Sequence, residues 1–228
     1  MVAIMVALTI IGFVVVDLMV QGLGKKKGTT GKHGVVEFSD FRVPMTTFFH
    51  PGHTWVNILP GGDVRMGLDD FTRKAIGNIE EIEPPKHGRI LKQGESAFTV
   101  KSNGKTLTFL SPVDGEVIGI NGMMLSNPEE VSKNPYGSGW VLRVRPTNLS
   151  VNLKAMKVAE DAVVWLKAEL RRFREFALGE NLQSVNEELQ YEVGPTSNDG
   201  GYLTVGMLGR MDKKAVAYFE KEFLDKKE

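Results

Sequence analysis

Two kinds of hydrophobic pattern divide the chain. From Val2 to Val20 the residues read VAIMVALTIIGFVVVDLMV, apolar on every face of a helix and interrupted by one charge, Asp17. At a rise of about 1.5 Å per residue, such a run matches the roughly 30 Å hydrocarbon core of a bilayer. No Lys or Arg precedes it, so it lacks the basic start of a secretory leader. The pattern predicts a transmembrane helix within residues 1–24. Lys25, Lys26 and Lys27 follow directly, and positive charge favours the cytoplasmic side. A single-pass membrane protein is therefore expected, with its N-terminus outside and its soluble part cytoplasmic. Asp17 is expected to reach the interface or to pair with a polar group on a neighbouring membrane subunit.

Residues 25–44 open on a Gly-, Lys- and Thr-rich stretch and are expected as a flexible basic tether. Beyond them the pattern changes to short alternating runs punctuated by Gly, Pro, Asn and Asp. Thr54–Leu59, Asp63–Met66, Ala97–Ser102, Lys105–Leu110, Gly115–Ile120 and Gly139–Val144 read as strands of a compact sheet or barrel. Asp69 and Asp70 open a short helix that Gly77 stops, and Asn127–Glu130 reads as a helical turn. After Asn148 the period lengthens. Leu153, Met156, Ala159, Val163, Leu166, Leu170, Phe173 and Ala177 form an apolar stripe at helical spacing. It predicts a long helix packed on the β region or on a partner. Residues 194–201 are turn-rich, and Asp212 to about Leu224 reads as a closing amphipathic segment.

Composition narrows the chemistry. Lys+Arg and Asp+Glu each number 28 among 228 residues, so no cationic excess drives nucleic-acid binding. The absence of cysteine removes disulfides, thiolate metal sites and thiol nucleophiles together. His50 and His53 are three apart, but Pro51 and Gly52 between them mark a turn and no carboxylate is near in sequence, so no metal site is expected. Glu80, Glu81 and Glu83, beside Pro84-Pro85, read as a solvated acidic loop. No nucleophile with an activating base is recognisable, and an enzyme is not expected.

The sharpest local signal is Asn103-Gly104 between two β-prone runs. A type I′ turn needs positive φ at both central residues, which this dipeptide supplies. The register pairs Ser102 with Lys105 and Lys101 with Thr106, so both lysines are expected near an exposed hairpin tip. Gly104-Lys105-Thr106 is no phosphate loop, because a strand and not a helix follows it.

Four motifs in order carry a family resemblance. They are His53-x-Trp55 leading to Gly67-Leu68-Asp69-Asp70, Pro112-Val113-Asp114-Gly115, Asn127-Pro128-Glu129-Glu130, and Asn134-Pro135-Tyr136-Gly137-Ser138-Gly139-Trp140. Together they resemble the glycine cleavage system H proteins. The resemblance implies a β-rich lipoyl/biotinyl-type barrel-sandwich hybrid with short helices over residues 45–148. One N-terminal transmembrane helix would precede it, and a helical C-terminal extension, residues 149–228, would follow. It also implies a lysine at one hairpin tip that carries lipoate, which shuttles an aminomethyl group and electrons between partner enzymes. Counting back from Pro112 places that lysine on Gly104 and the acidic residue three positions before it on Lys101. Neither matches. Lys105, one residue along, is the candidate attachment point, with Lys101 behind it.

The expected function is therefore a membrane-anchored, non-catalytic docking or scaffold subunit of a membrane-associated complex, without cofactor. Its expected partners are the lipid bilayer and the protein subunits of that complex, and no nucleic acid. The alternative is a working carrier with lipoate on Lys105.

Overall fold

The computed structural model describes residues 35–38, 41–129, 133–184 and 205–226. The expected membrane span, Asp17, the lysines that follow and the turn-rich residues 194–201 lie outside them. Among the described residues no helix is long and apolar enough to cross a membrane.

The chain runs β1 (Val35–Phe38), β2 (Phe41–Pro44), β3 (Phe48–Phe49), β4 (Thr54–Ile58), β5 (Val64–Leu68) and α1 (Asp70–Ile76). It continues through β6 (Glu81–Glu83), β7 (Ile90–Leu91), β8 (Ser96–Ser102), β9 (Lys105–Leu110), β10 (Gly115–Ile120), α2 (Gly122–Ser126) and β11 (Leu142–Pro146). The extension holds α3 (Leu149–Asn152), a 3₁₀ turn, α4 (Ala159–Ser184), α5 (Met207–Arg210), α6 (Lys213–Phe219) and a π turn, Glu220–Leu224. A six-stranded sheet has the order β3-β4-β5-β11-β10-β7, and a three-stranded sheet the order β6-β8-β9. Met66, Val117 and Val144 of the first sheet and Ile82, Val100 and Phe109 of the second belong to one continuous core. This is the β-rich architecture with short helices that the motifs imply.

The motifs work as contacting pairs. Trp55 is fully buried and donates its indole N–H to the Leu68 carbonyl at 2.8 Å. A Cβ on Gly67 would stand 3.0 Å from the Trp55 ring, so that position needs glycine to let backbone and indole meet. Asp69 is the N-cap of α1, accepting from Thr72 N at 2.8 Å. The Tyr136 hydroxyl accepts from Asp70 N at 2.9 Å, and its ring packs on Phe49 and Trp55.

Three expectations are corrected. Within the expected tether, β1 and β2 are paired antiparallel, and Phe41 and Val43 are buried; their period-2 alternation is enough to commit one face to the core. The expected strand Gly139–Val144 begins later, at Leu142. Gly137 and Gly139 donate to the Asn134 carbonyl, and the Asn121 amide takes the Ser138 and Trp140 carbonyls, so that stretch is spent on turns. The long helix starts at Ala159 rather than Leu153, because Phe49 and Lys157 exchange backbone hydrogen bonds at 2.7 and 2.8 Å. Its buried positions are Ala162, Leu166, Glu169, Phe173 and Ala177. The face is turned slightly from the apolar stripe and includes an acid.

That acid answers a buried histidine. The His53 ring is sealed from solvent, with Nδ1 2.6 Å from Asp69 Oδ2 and Nε2 3.6 Å from Glu169 Oε2. It stacks on Phe71 at 4.4 Å and lies tilted against Trp165 at 4.9 Å. Burial opposes the imidazolium, but the Asp69 and Glu169 carboxylates outweigh it and raise the pKa from 6.5 to about 9. Burial likewise opposes the Glu169 charge, and His53 and Arg172 outweigh it, leaving its pKa lowered. His50 shifts the other way. Its Nδ1 accepts from Gly52 N at 3.0 Å, and burial with the neighbouring His53 charge lowers its pKa from 6.5 to about 4.

These shifts set a pH profile. His53 binds its proton more tightly folded than unfolded, so its contribution is full below pH 6.5 and lost as pH rises through about 9. His50 binds its proton less tightly folded, so its contribution is present above pH 6.5 and lost as pH falls toward 4. Thermal unfolding of the full chain should therefore show maximal stability near pH 6.5. Glu169→Gln should lower stability by about 1–3 kcal/mol and flatten the alkaline limb. His50→Asn, whose amide oxygen can still accept from Gly52, should flatten the acid limb; a profile unchanged in both variants contradicts the assignment.

Candidate functional site

The β8–β9 hairpin folds as its dipeptide dictates. Asn103 and Gly104 have φ of 50° and 66°, and Ser102 pairs with Lys105 and Lys101 with Thr106. A Cβ at Gly104 would meet nothing within 4 Å, so that position faces open space.

Lys101 projects from this tip toward strand β6. Its ammonium contacts Glu81 at 2.9 Å and also bonds Glu83. Those hydrogen bonds raise the Lys101 pKa, Glu83 first and then Glu81. The acidic run is therefore no free loop. Glu81 and Glu83 sit opposite Lys101 and Thr99 in the β6–β8 ladder, and Glu80 accepts from Asn103 N at 2.8 Å.

Lys105 is placed differently. Its ammonium donates to the carbonyls of Leu208 at 2.7 Å, Gly209 at 3.0 Å and Met211. These carbonyls end α5, where helix acceptors outnumber internal donors; that of Leu208 also accepts from Met211 N at 3.3 Å. Burial lowers the Lys105 pKa, with Asp212 opposing. Both lysines flank the tip as the register implies, but the tip at Lys105 is covered by the C-terminal segment and not exposed.

That segment, residues 205–226, crosses the hairpin tip as a strap. At its start Gly206 N donates to the Lys74 carbonyl at 2.8 Å, and a Cβ on Gly77 would stand 2.5 Å from Gly206 Cα. Helix α6 begins at Asp212, which caps Ala215 N at 2.8 Å. Phe219 and Phe223 then pack on Phe71 of α1 and Phe173 of α4, with centroids 5.6–6.4 Å apart. Glu220 accepts from Thr108 N of β9 at 2.7 Å. The expected amphipathic segment is present and packs on α1, α4 and β9 of this chain, while residues 208–211 just before it meet the tip. No local signal announces that contact, since 103 residues separate Lys105 from Leu208.

Among the described residues no group of three or more His, Asp or Glu side chains could bind a metal ion. His53 and Asp69 form the kind of pair that orients a general base elsewhere, but both are fully buried and no substrate could reach them.

Known proteins of one kind share this region. The probable glycine cleavage system H protein of Pyrococcus abyssi is 31% identical over 134 residues, 59% of this chain and 99% of that protein. The glycine cleavage system H protein of Thermus thermophilus is 33% identical over 108 residues, 47% of this chain and 83% of that protein. A crystal structure of a glycine cleavage system H protein from Mycobacterium marinum aligns at a TM-score of 0.44 and 28% identity, covering 46% of this chain and 87% of that one. The family model described as glycine cleavage H-protein matches residues 47–169, ending at the acid that holds His53 and short of the strap. That match takes in more than half of the 228 residues, and the chain belongs to the glycine cleavage H-protein family.

Proposed function

We propose that this chain is a membrane-anchored, non-catalytic docking or scaffold subunit built on an H-protein domain whose tip is closed. The family's domain is a lipoyl carrier and not itself an enzyme. One observation carries the departure from carriage: the tip has glycine at the family's lysine position, and the nearest amine, Lys105, is bound by three backbone carbonyls. A lipoate-attaching enzyme needs a side-chain amine presented outward, and a shift of one residue at a two-residue turn moves a side chain to the other face. The apolar run Val2–Val20 and Lys25–Lys27 support anchoring with the H domain on the cytoplasmic side. Subunits of a membrane-associated complex are the expected partners.

A second reading keeps the carrier function, with lipoate on Lys105. Family membership favours it, as does the lowered pKa of that amine, since only the neutral form attacks an acyl donor. Intact-mass and peptide analysis of the chain purified from its native membrane separates the two. The docking reading expects no lipoyl increment on the peptide containing Lys105; an increment there overturns it. Gly104→Lys, co-expressed with a lipoate ligase, is expected to gain the increment at residue 104, because that position faces open space. Removal of residues 1–24 is expected to move the protein from the membrane fraction to the soluble fraction while preserving its thermal transition.

A further inference from the structure

The strap and the tip lysine hold each other in place. Lys105 is the cation at the end of α5, and the carbonyls of Leu208, Gly209 and Met211 all turn to it. If its charge were removed, acceptors at the end of a four-residue helix would be left facing a neutral group. The strap in turn shields the amine, and it is fixed on both sides of that contact. Gly206 abuts Gly77 before it, and Phe219, Glu220 and Phe223 are seated on α1, α4 and β9 after it. Gly209 also lies against the turn itself, where a Cβ would crowd the Asn103 amide. The strap lies beyond the family match, so this arrangement belongs to this chain's extension.

We propose that Lys105 and residues 205–226 form a reciprocal latch: the ammonium holds the strap across the hairpin tip, the strap keeps the amine from reagents and partners, and loss of either releases the other. This deepens the docking reading and rests on its closed tip. Coupling of this kind is symmetric by thermodynamic necessity, so neutralising Lys105 loosens the strap by the factor by which unseating the strap exposes Lys105. Release would uncover Phe71, Phe173 and the Thr108 N–H together, a surface whose resident ligand is a helix with two aromatic residues one turn apart.

The test labels the full-length protein in detergent with acetic anhydride, which turns a neutral amine into an amide and releases acetate. Site-resolved mass spectrometry then compares Lys105 with the exposed Lys86. Lys105 in the unaltered chain is expected to label more slowly by roughly tenfold, equivalent to about 1.4 kcal/mol of net closure, because shielding by the strap outweighs the larger neutral fraction that its lowered pKa supplies. Gly209→Val, which drives a side chain against Asn103, is expected to bring Lys105 toward the Lys86 rate. In the other direction, Lys105→Gln is expected to speed amide hydrogen exchange over residues 213–224, and Lys105→Arg to preserve its protection. Labelling of Lys105 as fast as Lys86 in the unaltered chain, which needs no variant to fold, overturns the latch. So does strap exchange in Lys105→Gln at the unaltered rate. A lipoyl group found on native Lys105 would instead defeat the docking reading, and strap exchange before and after its removal would still read the latch.

Discussion

A charged imidazole with no access to water stands only where anionic partners surround it, and His53 is such a group. Asp69 holds one ring nitrogen and Glu169 approaches the other. Removing either partner would leave a buried charge uncompensated, which is far costlier than never having buried it. The three residues come from different parts of the molecule: the turn into β4, the N-cap of α1 and the middle of α4. Arg172 extends the chain of contacts. It grips Glu169 at 2.7 Å, donates to the Glu222 carbonyl at 3.2 Å, and lies over the Phe223 ring at 4.8 Å. Barrel, long helix and closing turn are thus fastened through one proton. The extension is part of the domain's own core, since Leu166, Phe173, Phe219 and Phe223 are buried in the same cluster as the sheet residues.

The geometry of the hairpin tip is set by its turn. An Asn-Gly turn fixes the loop whatever its neighbours are, because both central residues adopt positive φ. Glycine at position 104 therefore serves the turn and leaves no side chain to modify. The amine one residue later belongs to a different face, and the chain has used it as the anchor of its own C-terminal segment. Lys101, where an acid would be expected from the family, has become the centre of a cross-strand pair with Glu81 and Glu83. Each of these departures from the family's pattern has its own structural partner.

Much of this was legible in the residues. The hairpin register followed from two residues, and α1 followed from its acidic start and glycine stop. The four ordered motifs pointed to the domain because they are contacts: Trp55 with Gly67, His53 with Asp69, Tyr136 with Asp70. What could not be read was set by partners distant in sequence. Glu169 lies outside the apolar stripe that marked the long helix, because hydropathy scores a residue without its counterion. Phe41 and Val43 looked like part of a tether because two buried positions are too few to show a period. Lys105 looked free because the carbonyls that bind it carry no side-chain signature at all.

The carboxylate of Glu220 on the Thr108 N–H has one more effect. Strand β9 is an outer strand of its small sheet, and an unpaired ladder there is a template onto which another molecule's strand can add. A negative side chain bonded into that ladder both satisfies the donor and repels an incoming carbonyl. The strap therefore also guards against self-association.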